Sequence, residues 1–314
     1  MLSAEPAIET TWTCKDGMKL AGKRLTRNNG HNKKLHILAL HGWMDNCASF
    51  DALSQSLVDK LSSDANAVDI DFVAIDLPGH GHSSHKSLDG PSSVLAEYCY
   101  YVFEIVRLLQ WKPEDLTIIG HSMGGSIGVM FAAAFPVEGL ILLDTLGPMP
   151  KPAKAVSKSL RSHIKIRAQG KMPSSVYPSF EKAVETRIST PGVLFPGKQY
   201  ISESTATALV RRGSVIADNG QLQFRHDQRL NWPSMLFLTE SQLEQMYMDI
   251  ANQKTSTCLL LAVDGMPFPQ DKVSRVRSLL KPNLYKSLPG SHHFHSDPDN
   301  FEGVVDAIVS WLQL

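Results

Sequence analysis

Short apolar runs recur along the chain, and segments long enough to form helices separate most of them. Runs without polar alternation are typical of strands buried on both faces of a parallel sheet that helices cover. The pattern therefore predicts an α/β fold with a mostly parallel sheet flanked by helices. The predicted strands are Leu35–Leu40, Phe72–Ile75, Leu116–Ile119, Leu140–Leu143, Thr257–Val263 and Leu284–Leu288.

The beginning of the chain has a different pattern. Two strand-like runs, Glu9–Cys14 and Met18–Lys23, flank an Asp-Gly pair that suits a tight turn, so we predict an opening hairpin. Apolar residues at helical spacing, or a Gly- and Ala-rich composition, predict the helices of the core. The predicted helices are Ser93–Gln110, Gly124–Phe135 and a terminal helix over Asn300–Leu312.

The alternation of strands and helices stops in the middle of the chain. Residues 147–252 have the pattern of several helices joined by loops that contain proline. We therefore predict one α/β core, formed by residues 1–146 and 253–314, with residues 147–252 inserted as a helical cap.

The first predicted cap helix is basic. It carries lysine or arginine at positions 154, 158, 161 and 165, and no acidic residue occurs between positions 145 and 180. A solvated surface is the preferred interpretation, and attraction of an anionic substrate or surface is the alternative.

The amino-acid composition and charge balance exclude some classes of function. With 43% hydrophobic and 20% charged residues the chain resembles an ordinary globular protein, and 31 basic against 31 acidic residues provide no field that would favour nucleic acid. Since no secretory leader or transmembrane segment is recognised, we expect a cytoplasmic monomer or homodimer, with a peroxisomal or vesicle-associated location as the alternative. Four cysteines without close spacing are predicted to be buried thiols in a reducing compartment: Cys14, Cys47, Cys99 and Cys258.

Gly120-His121-Ser122-Met123-Gly124 is the motif that carries chemistry. It matches G-x-S-x-G between a predicted strand and a predicted helix, the context in which a strained turn exposes a nucleophilic serine. The alternative is a glycine-rich turn with an incidental serine, but neither nucleotide-binding glycine motif is present. We therefore predict Ser122 as the nucleophile.

A second loop, His41-Gly42-Trp43, follows the strand Leu35–Leu40. Acyl transfer needs two N–H groups about 3 Å from the developing oxyanion. The backbone N–H groups of Trp43 and Met123 are the predicted donors, unless this loop is only a structural turn. His41, Gly42 and His121 are expected to contribute to the substrate-binding surface.

The general base is expected near the C-terminus. His292, in the loop after the last predicted strand, is the preferred base, and His293 and His295 are the alternatives. Asp264, in the turn after Thr257–Val263, is the preferred acid; Asp144, which ends another strand, and Asp271 remain candidates.

The segment Asp76–Ser83 is interpreted as mainly architectural. His80 and His82 alternate with glycine in it, but two histidines without further suitably spaced ligands do not complete a zinc site. No metal site is predicted.

Together these residues resemble the α/β-hydrolase superfamily, and within it the serine hydrolase-like, or kraken-like, proteins. The resemblance implies an eight-stranded, mostly parallel sheet with a helical lid, a serine hydrolase mechanism and no cofactor. Dehalogenases and epoxide hydrolases of this fold carry aspartate at the elbow, so Ser122 argues against both. The segments that carry the resemblance are His41–Asn46, Asp76–Ser83, Gly120–Gly125, Arg225–Leu230 and Gly290–His295.

The expected function is cleavage of a medium-sized hydrophobic ester through an acyl-enzyme. Two alternatives use the same residues. One is hydrolysis of a C–C bond or a perhydrolase reaction, and the other is a ligand-binding or scaffold protein with little turnover.

Overall fold

The computed structural model describes residues 7–28, 30, 34–63, 68–88, 94–170, 176–194 and 200–313. Ser93, the predicted start of a helix, lies outside them. The strands in chain order are β1 (Ile8–Thr13), β2 (Lys19–Arg27), β3 (Lys34–Leu40), β4 (Asp69–Ile75), β5 (Leu116–His121), β6 (Gly139–Leu143), β7 (Val176–Tyr177), β8 (Ser214–Ile216), β9 (Leu222–Phe224), β10 (Ser256–Asp264) and β11 (Leu284–Ser291). The α-helices are α1 (Asp51–Ser63), α2 (Tyr98–Leu108), α3 (Met123–Ala134), α4 (Val156–Gln169), α5 (Phe180–Leu194), α6 (Glu203–Gly213), α7 (Glu240–Asn252), α8 (Gln270–Leu280) and α9 (Phe301–Leu312).

The main sheet confirms the predicted α/β architecture. Within the described ranges it has eight strands in the order β1-β2-β4-β3-β5-β6-β10-β11. β1 and β2 form the antiparallel hairpin, β2 pairs antiparallel with β4, and the remaining neighbours are parallel. The parallel strands therefore end together at one edge of the sheet, where the Ser122 motif lies.

Helices cover both faces of the sheet. Along β3, Leu38 and Leu40 belong to the apolar cluster that includes side chains of α2 and α3, whereas Ile37 and Ala39 belong to the cluster under α1 and α9. Successive side chains of a strand point to opposite faces, so a strand covered on both sides must be apolar throughout. This burial explains why the strands could be recognised as continuous apolar runs.

The inserted segment differs from the prediction of helices and loops alone. It also contains a small antiparallel sheet in the order β7-β9-β8. These strands have only two or three residues, too few for their periodicity to appear in the sequence. The segment has its own small apolar core, formed by α5, α6 and neighbouring residues: Ala183, Val184, Ile201, Ala206, Leu209, Val210 and Leu222.

Helix α7, which the prediction placed in the cap, packs into the core of the main sheet. Leu243, Tyr247 and Ile250 belong to the same apolar cluster as the side chains of α3. The Tyr247 hydroxyl also donates a hydrogen bond to the carbonyl oxygen of Leu146. A cap formed by the inserted segment would therefore end before α7.

Two buried arginines in the inserted segment contact the loop after β4. Arg212 on α6 donates from Nε to both oxygens of Asp76, at 3.0 and 2.9 Å. Arg229 pairs with Asp227 and donates to the backbone carbonyls of Lys86 and Ser87, at 2.8 and 2.7 Å. These contacts give the segment Arg225–Leu230 a structural role, and those of Asp76 are consistent with the architectural interpretation of its loop.

The cysteines are free thiols, as predicted; Cys14, Cys47 and Cys258 are buried and Cys99 is partly so. In the described part of the chain, no helix is both long and apolar enough to cross a bilayer.

Candidate active site

Ser122 occupies a strained turn between β5 and α3. Its φ of 51° and ψ of −113° lie outside the regions that non-glycine residues usually adopt. Its N–H donates to the carbonyl oxygen of Leu143 on the neighbouring strand, at 3.1 Å. The half-buried serine is therefore held at the end of the sheet and at the N-terminus of α3, whose dipole favours negative charge.

Small residues are required around this turn. A Cβ added to Gly120 would lie 2.4 Å from the Cα of Gly125, and one added to Gly124 would lie 2.0 Å from the carbonyl oxygen of Leu40. Both contacts involve backbone atoms, which cannot rotate away. The glycines of the motif thus allow α3 to pack directly against β5 and β3.

The loop after β3 is oriented by His41. The N–H of Leu77 donates to His41 Nε2 at 2.9 Å, so the ring hydrogen is on Nδ1, which donates to the carbonyl oxygen of Gly42 at 2.7 Å. In a trans peptide the N–H points away from the preceding carbonyl oxygen. The Trp43 N–H is therefore directed away from His41. His41 itself is fully buried and is not among the described residues of the cavity wall, which corrects its expected role in substrate binding.

The loop after β11 brings His292 to a buried carboxylate, that of Asp144. His292 Nδ1 lies 2.6 Å from Asp144 Oδ2. A carboxylate only accepts, so Nδ1 donates and a neutral His292 has its lone pair on Nε2. Asp144 also accepts from the N–H groups of Ala262 and Met266, at 3.1 and 2.9 Å. These bonds fix both the carboxylate and the tautomer of the imidazole.

The preference for Asp264 as the acid is corrected by this geometry. Asp264 ends β10, where it pairs in register with Ser291, and Asp271 is exposed in the first turn of α8. Asp144 follows β6, which lies between β5 and β10 and is therefore nearer to the serine. Asp144 directly after β6 and Asp264 at the end of β10 lie at the same edge of the sheet. The sequence therefore identified the candidates for the acid without ranking them correctly.

Ser122 and His292 both line one cavity, together with Gly42, Trp43 and Met123. Among the hydrogen bonds of the described residues, none joins the Ser122 hydroxyl to His292. The link between their segments is indirect, since His121 Nε2 donates to the carbonyl oxygen of His292 at 2.8 Å. Nucleophile–base contacts are often looser without substrate than in the reacting complex.

The two alternative histidines have other partners. His293 Nε2 lies 3.1 Å from Asp45 Oδ2, while His295 is fully buried with its ring 4.2 Å from that of His121. Burial lowers the pKa of His293, and lowers that of His121 to about 4, so both rings are neutral near pH 7. Burial would raise the pKa of Asp45, but adjacent His293 and the guanidinium of Arg187 hold it well below its usual range.

The cavity has a volume of about 1200 Å³ and lies between the sheet edge and the cap. Its wall is mainly apolar. The large apolar side chains that line it include Trp43, Met123, Met130, Leu209, Phe224, Trp232, Leu236, Phe237, Leu238 and Phe268.

Comparison with known proteins identifies the family. Residues 37–307 match the model of the alpha/beta hydrolase family. A serine hydrolase-like protein from Danio rerio is 32% identical over 291 residues, which cover 88% of this chain and 81% of the relative. A probable serine hydrolase from Drosophila melanogaster is 30% identical over 281 residues, covering 85% and 78% of the two chains.

Solved structures agree in fold. A hypothetical protein from Pseudomonas aeruginosa PAO1 superposes with a TM-score of 0.81 at 28% identity, covering 99% of this chain and 100% of that one. A thioesterase domain from the curacin biosynthetic pathway gives a TM-score of 0.73 at 18% identity, covering 97% and 100%, and shows likeness of fold alone. The chain is therefore a hydrolase that belongs to the alpha/beta hydrolase family, among its serine hydrolase-like proteins.

Proposed function

We propose that the protein is a serine esterase with Ser122 as nucleophile, His292 as general base and Asp144 as the acid that orients it. The observation that carries the proposal is the 2.6 Å contact between His292 Nδ1 and Asp144 Oδ2 beside a strained serine. This contact leaves Nε2 of a neutral His292 as the acceptor, which is the form that a general base needs.

In the proposed reaction, His292 Nε2 takes the proton of the Ser122 hydroxyl as Oγ attacks the ester carbonyl. The backbone N–H groups of Trp43 and Met123 stabilise the oxyanion, helped by the N-terminus of α3. Collapse of the tetrahedral intermediate expels the alcohol, which receives the proton from His292. Water activated by the same imidazole then releases the acid and restores the serine.

The cavity supports a hydrophobic substrate. Its volume of about 1200 Å³ exceeds the 300–1,000 Å³ typical of small-molecule sites, and its apolar wall would favour burial of an alkyl or aryl acyl chain. Among the described residues of the wall, the charged side chains of Asp144, Asp45 and Arg187 are each engaged by protein partners. We therefore propose an uncharged ester of medium or greater chain length.

The test is ester turnover in Ser122→Ala, measured with p-nitrophenyl esters of increasing chain length. Removal of the nucleophile should lower kcat by a factor on the order of 10⁶. Ser278→Ala is the matched control, because Ser278 is exposed on α8, far along the chain from the motif. Unchanged turnover in Ser122→Ala, with the fold intact, would refute the assignment.

One observation favours a second candidate function, a ligand-binding protein with little turnover. In the described structure the Ser122 hydroxyl and His292 are not hydrogen bonded. Labelling of purified protein with a fluorophosphonate probe distinguishes the two functions. An activated serine reacts with the probe, and Ser122→Ala does not, whereas a binding protein leaves both unlabelled.

A further inference from the structure

A second group of buried polar side chains lies next to the proposed triad and takes part in none of its steps. Asp45 Oδ2 lies 3.1 Å from His293 Nε2 and 3.6 Å from His121 Nδ1. The three atoms are all within 4.8 Å of one another. Each of the three residues is buried yet contributes to the cavity wall, so a small ion entering the cavity can reach them.

The hydrogen bonds of His121 determine what this group can bind. Its Nε2 donates to the carbonyl oxygen of His292, so in the neutral ring Nδ1 has no hydrogen and offers a lone pair. Nδ1 is buried and has no hydrogen-bond partner among the described residues. A carboxylate oxygen of Asp45 lies 3.6 Å from it and also only accepts. Two acceptors that face each other in a buried site are satisfied by a cation between them.

We propose that Asp45 Oδ2, His121 Nδ1 and His293 Nε2 bind a divalent transition-metal ion such as Zn²⁺, with the fourth position open to the cavity. Bonds of about 2.0–2.2 Å in a tetrahedral site place ligand atoms about 3.3 Å apart, close to the observed 3.1 and 3.6 Å. Two imidazoles and one carboxylate form a donor set that zinc and its neighbours accept. On binding, the proton of His293 Nε2 moves to Nδ1 or is released to solvent.

Arg187 competes with the metal ion for the carboxylate of Asp45. Its guanidinium, on cap helix α5, contacts the other oxygen of Asp45. A metal ion on Oδ2 would be repelled by this cation, so the position of Arg187 sets the metal affinity. The ion would also lie beside the residue that precedes Ser122, and His121 is bonded to the backbone of His292. Occupancy should therefore inhibit turnover, an effect that rests on the proposed function.

Isothermal titration of the chelator-treated full chain with Zn²⁺ tests the site, and Co²⁺ absorption reports its geometry. In His121→Gln and His293→Gln the side-chain amide keeps an N–H near the position of Nε2. Neither variant retains an imidazole nitrogen that can bind the metal. Loss of an outer hydrogen-bond partner weakens metal binding about 10–100-fold, and loss of a ligand should cost at least as much. Arg187→Gln should bind Zn²⁺ more tightly than the wild type. His163→Asn is the control, since His163 is buried elsewhere, against the carbonyl oxygen of Pro233.

Absence of Zn²⁺ binding by the wild type would overturn the proposal, as would equal affinity in the glutamine variants or equal weakening in His163→Asn. If one glutamine variant fails to fold, the other glutamine variant and Arg187→Gln still test the proposed metal site. Ser122→Ala separates this site from the proposed function. The variant should bind Zn²⁺ with wild-type affinity although it has no nucleophile, and a wild-type protein that binds Zn²⁺ but turns over no ester would support the metal site and refute only the esterase. Ester turnover by a wild-type protein that does not bind Zn²⁺ would support the proposed function and overturn the metal site.

Discussion

Asp144→Asn is expected to abolish ester turnover, because asparagine cannot satisfy the three donors that converge on this side chain. Oδ1 of Asp144 accepts from the N–H of Ala262, while Oδ2 accepts from Met266 N and from His292 Nδ1. An asparagine has one accepting oxygen and one donating amide group. At least one of the three donors must therefore lose its acceptor.

The orientation of the asparagine amide determines whether the tautomer of His292 or the hydrogen bond of Ala262 is lost. With its NH₂ at the position of Oδ2, it donates to His292 Nδ1 and moves the ring hydrogen to Nε2, which can no longer accept the serine proton. With its NH₂ at the position of Oδ1, it leaves the buried N–H of Ala262 unsatisfied, which costs about 1–3 kcal/mol. The first orientation is favoured, because the N–H of Met266 that it displaces is only part-buried, whereas the N–H of Ala262 is buried. Loss of the correct tautomer lowers kcat by a factor on the order of 10⁴, or about 5 kcal/mol of activation free energy.

The assay compares kcat for p-nitrophenyl esters in the wild type, Asp144→Asn and Asp264→Asn, with urea unfolding of each. Asp264→Asn is the matched control, since Asp264 is an aspartate at the end of the adjacent strand β10. It should retain turnover. If Asp264→Asn loses activity while Asp144→Asn keeps the wild-type kcat, the hydrogen-bond argument is refuted.

Three further variants test the scaffold. Asp76→Asn should lower the free energy of unfolding by up to about 3 kcal/mol, because the buried guanidinium of Arg212 loses its buried carboxylate partner and keeps only the exposed Glu9. Burial raises the pKa of Asp76, but Arg212 and backbone hydrogen bonds outweigh it and lower the pKa. The carboxylate therefore adds stability above about pH 4 that is lost as the pH falls further, and urea unfolding of Asp76→Asn should depend less on acid pH. Gly124→Ala, whose Cβ would lie 2.0 Å from the carbonyl oxygen of Leu40, should cost about 1–3 kcal/mol or more, whereas Gly303→Ala, with open space on α9, should gain about 0.4–1 kcal/mol. Equal melting temperatures for these two variants would contradict the packing argument.

The fold could be predicted because burial of both sheet faces leaves a direct trace in the sequence. β5 and β6 are buried at every position, and nine of their eleven residues are apolar or glycine. The position of Ser122 was equally predictable, because Gly120 of its motif is demanded by a backbone contact with Gly125, five positions along the chain. Local physical requirements are what a single sequence displays best.

Pairings between distant segments could not be predicted in the same way. Asp144 and His292 are 148 positions apart, and Asp76 and Arg212 are 136 apart. Which aspartate reaches His292 depends on β6 lying between β5 and β10, and this order of strands is not encoded near either residue. His41 was misinterpreted for a related reason, since the acceptor role of its Nε2 depends on Leu77, on a different loop.

Backbone strain gives independent support for placing the chemistry at this edge of the sheet. Among the non-glycine residues that the structure describes, six have positive φ, and three of them are Met44, Ser122 and Asp144. These three follow β3, β5 and β6, which are neighbours in the sheet. Such conformations cost of order 1–3 kcal/mol each and persist only where the surrounding structure enforces them. Residues next to the proposed oxyanion donor, at the nucleophile and at the acid therefore share one strained edge, and a protein that needed only a stable sheet would have no use for that cost.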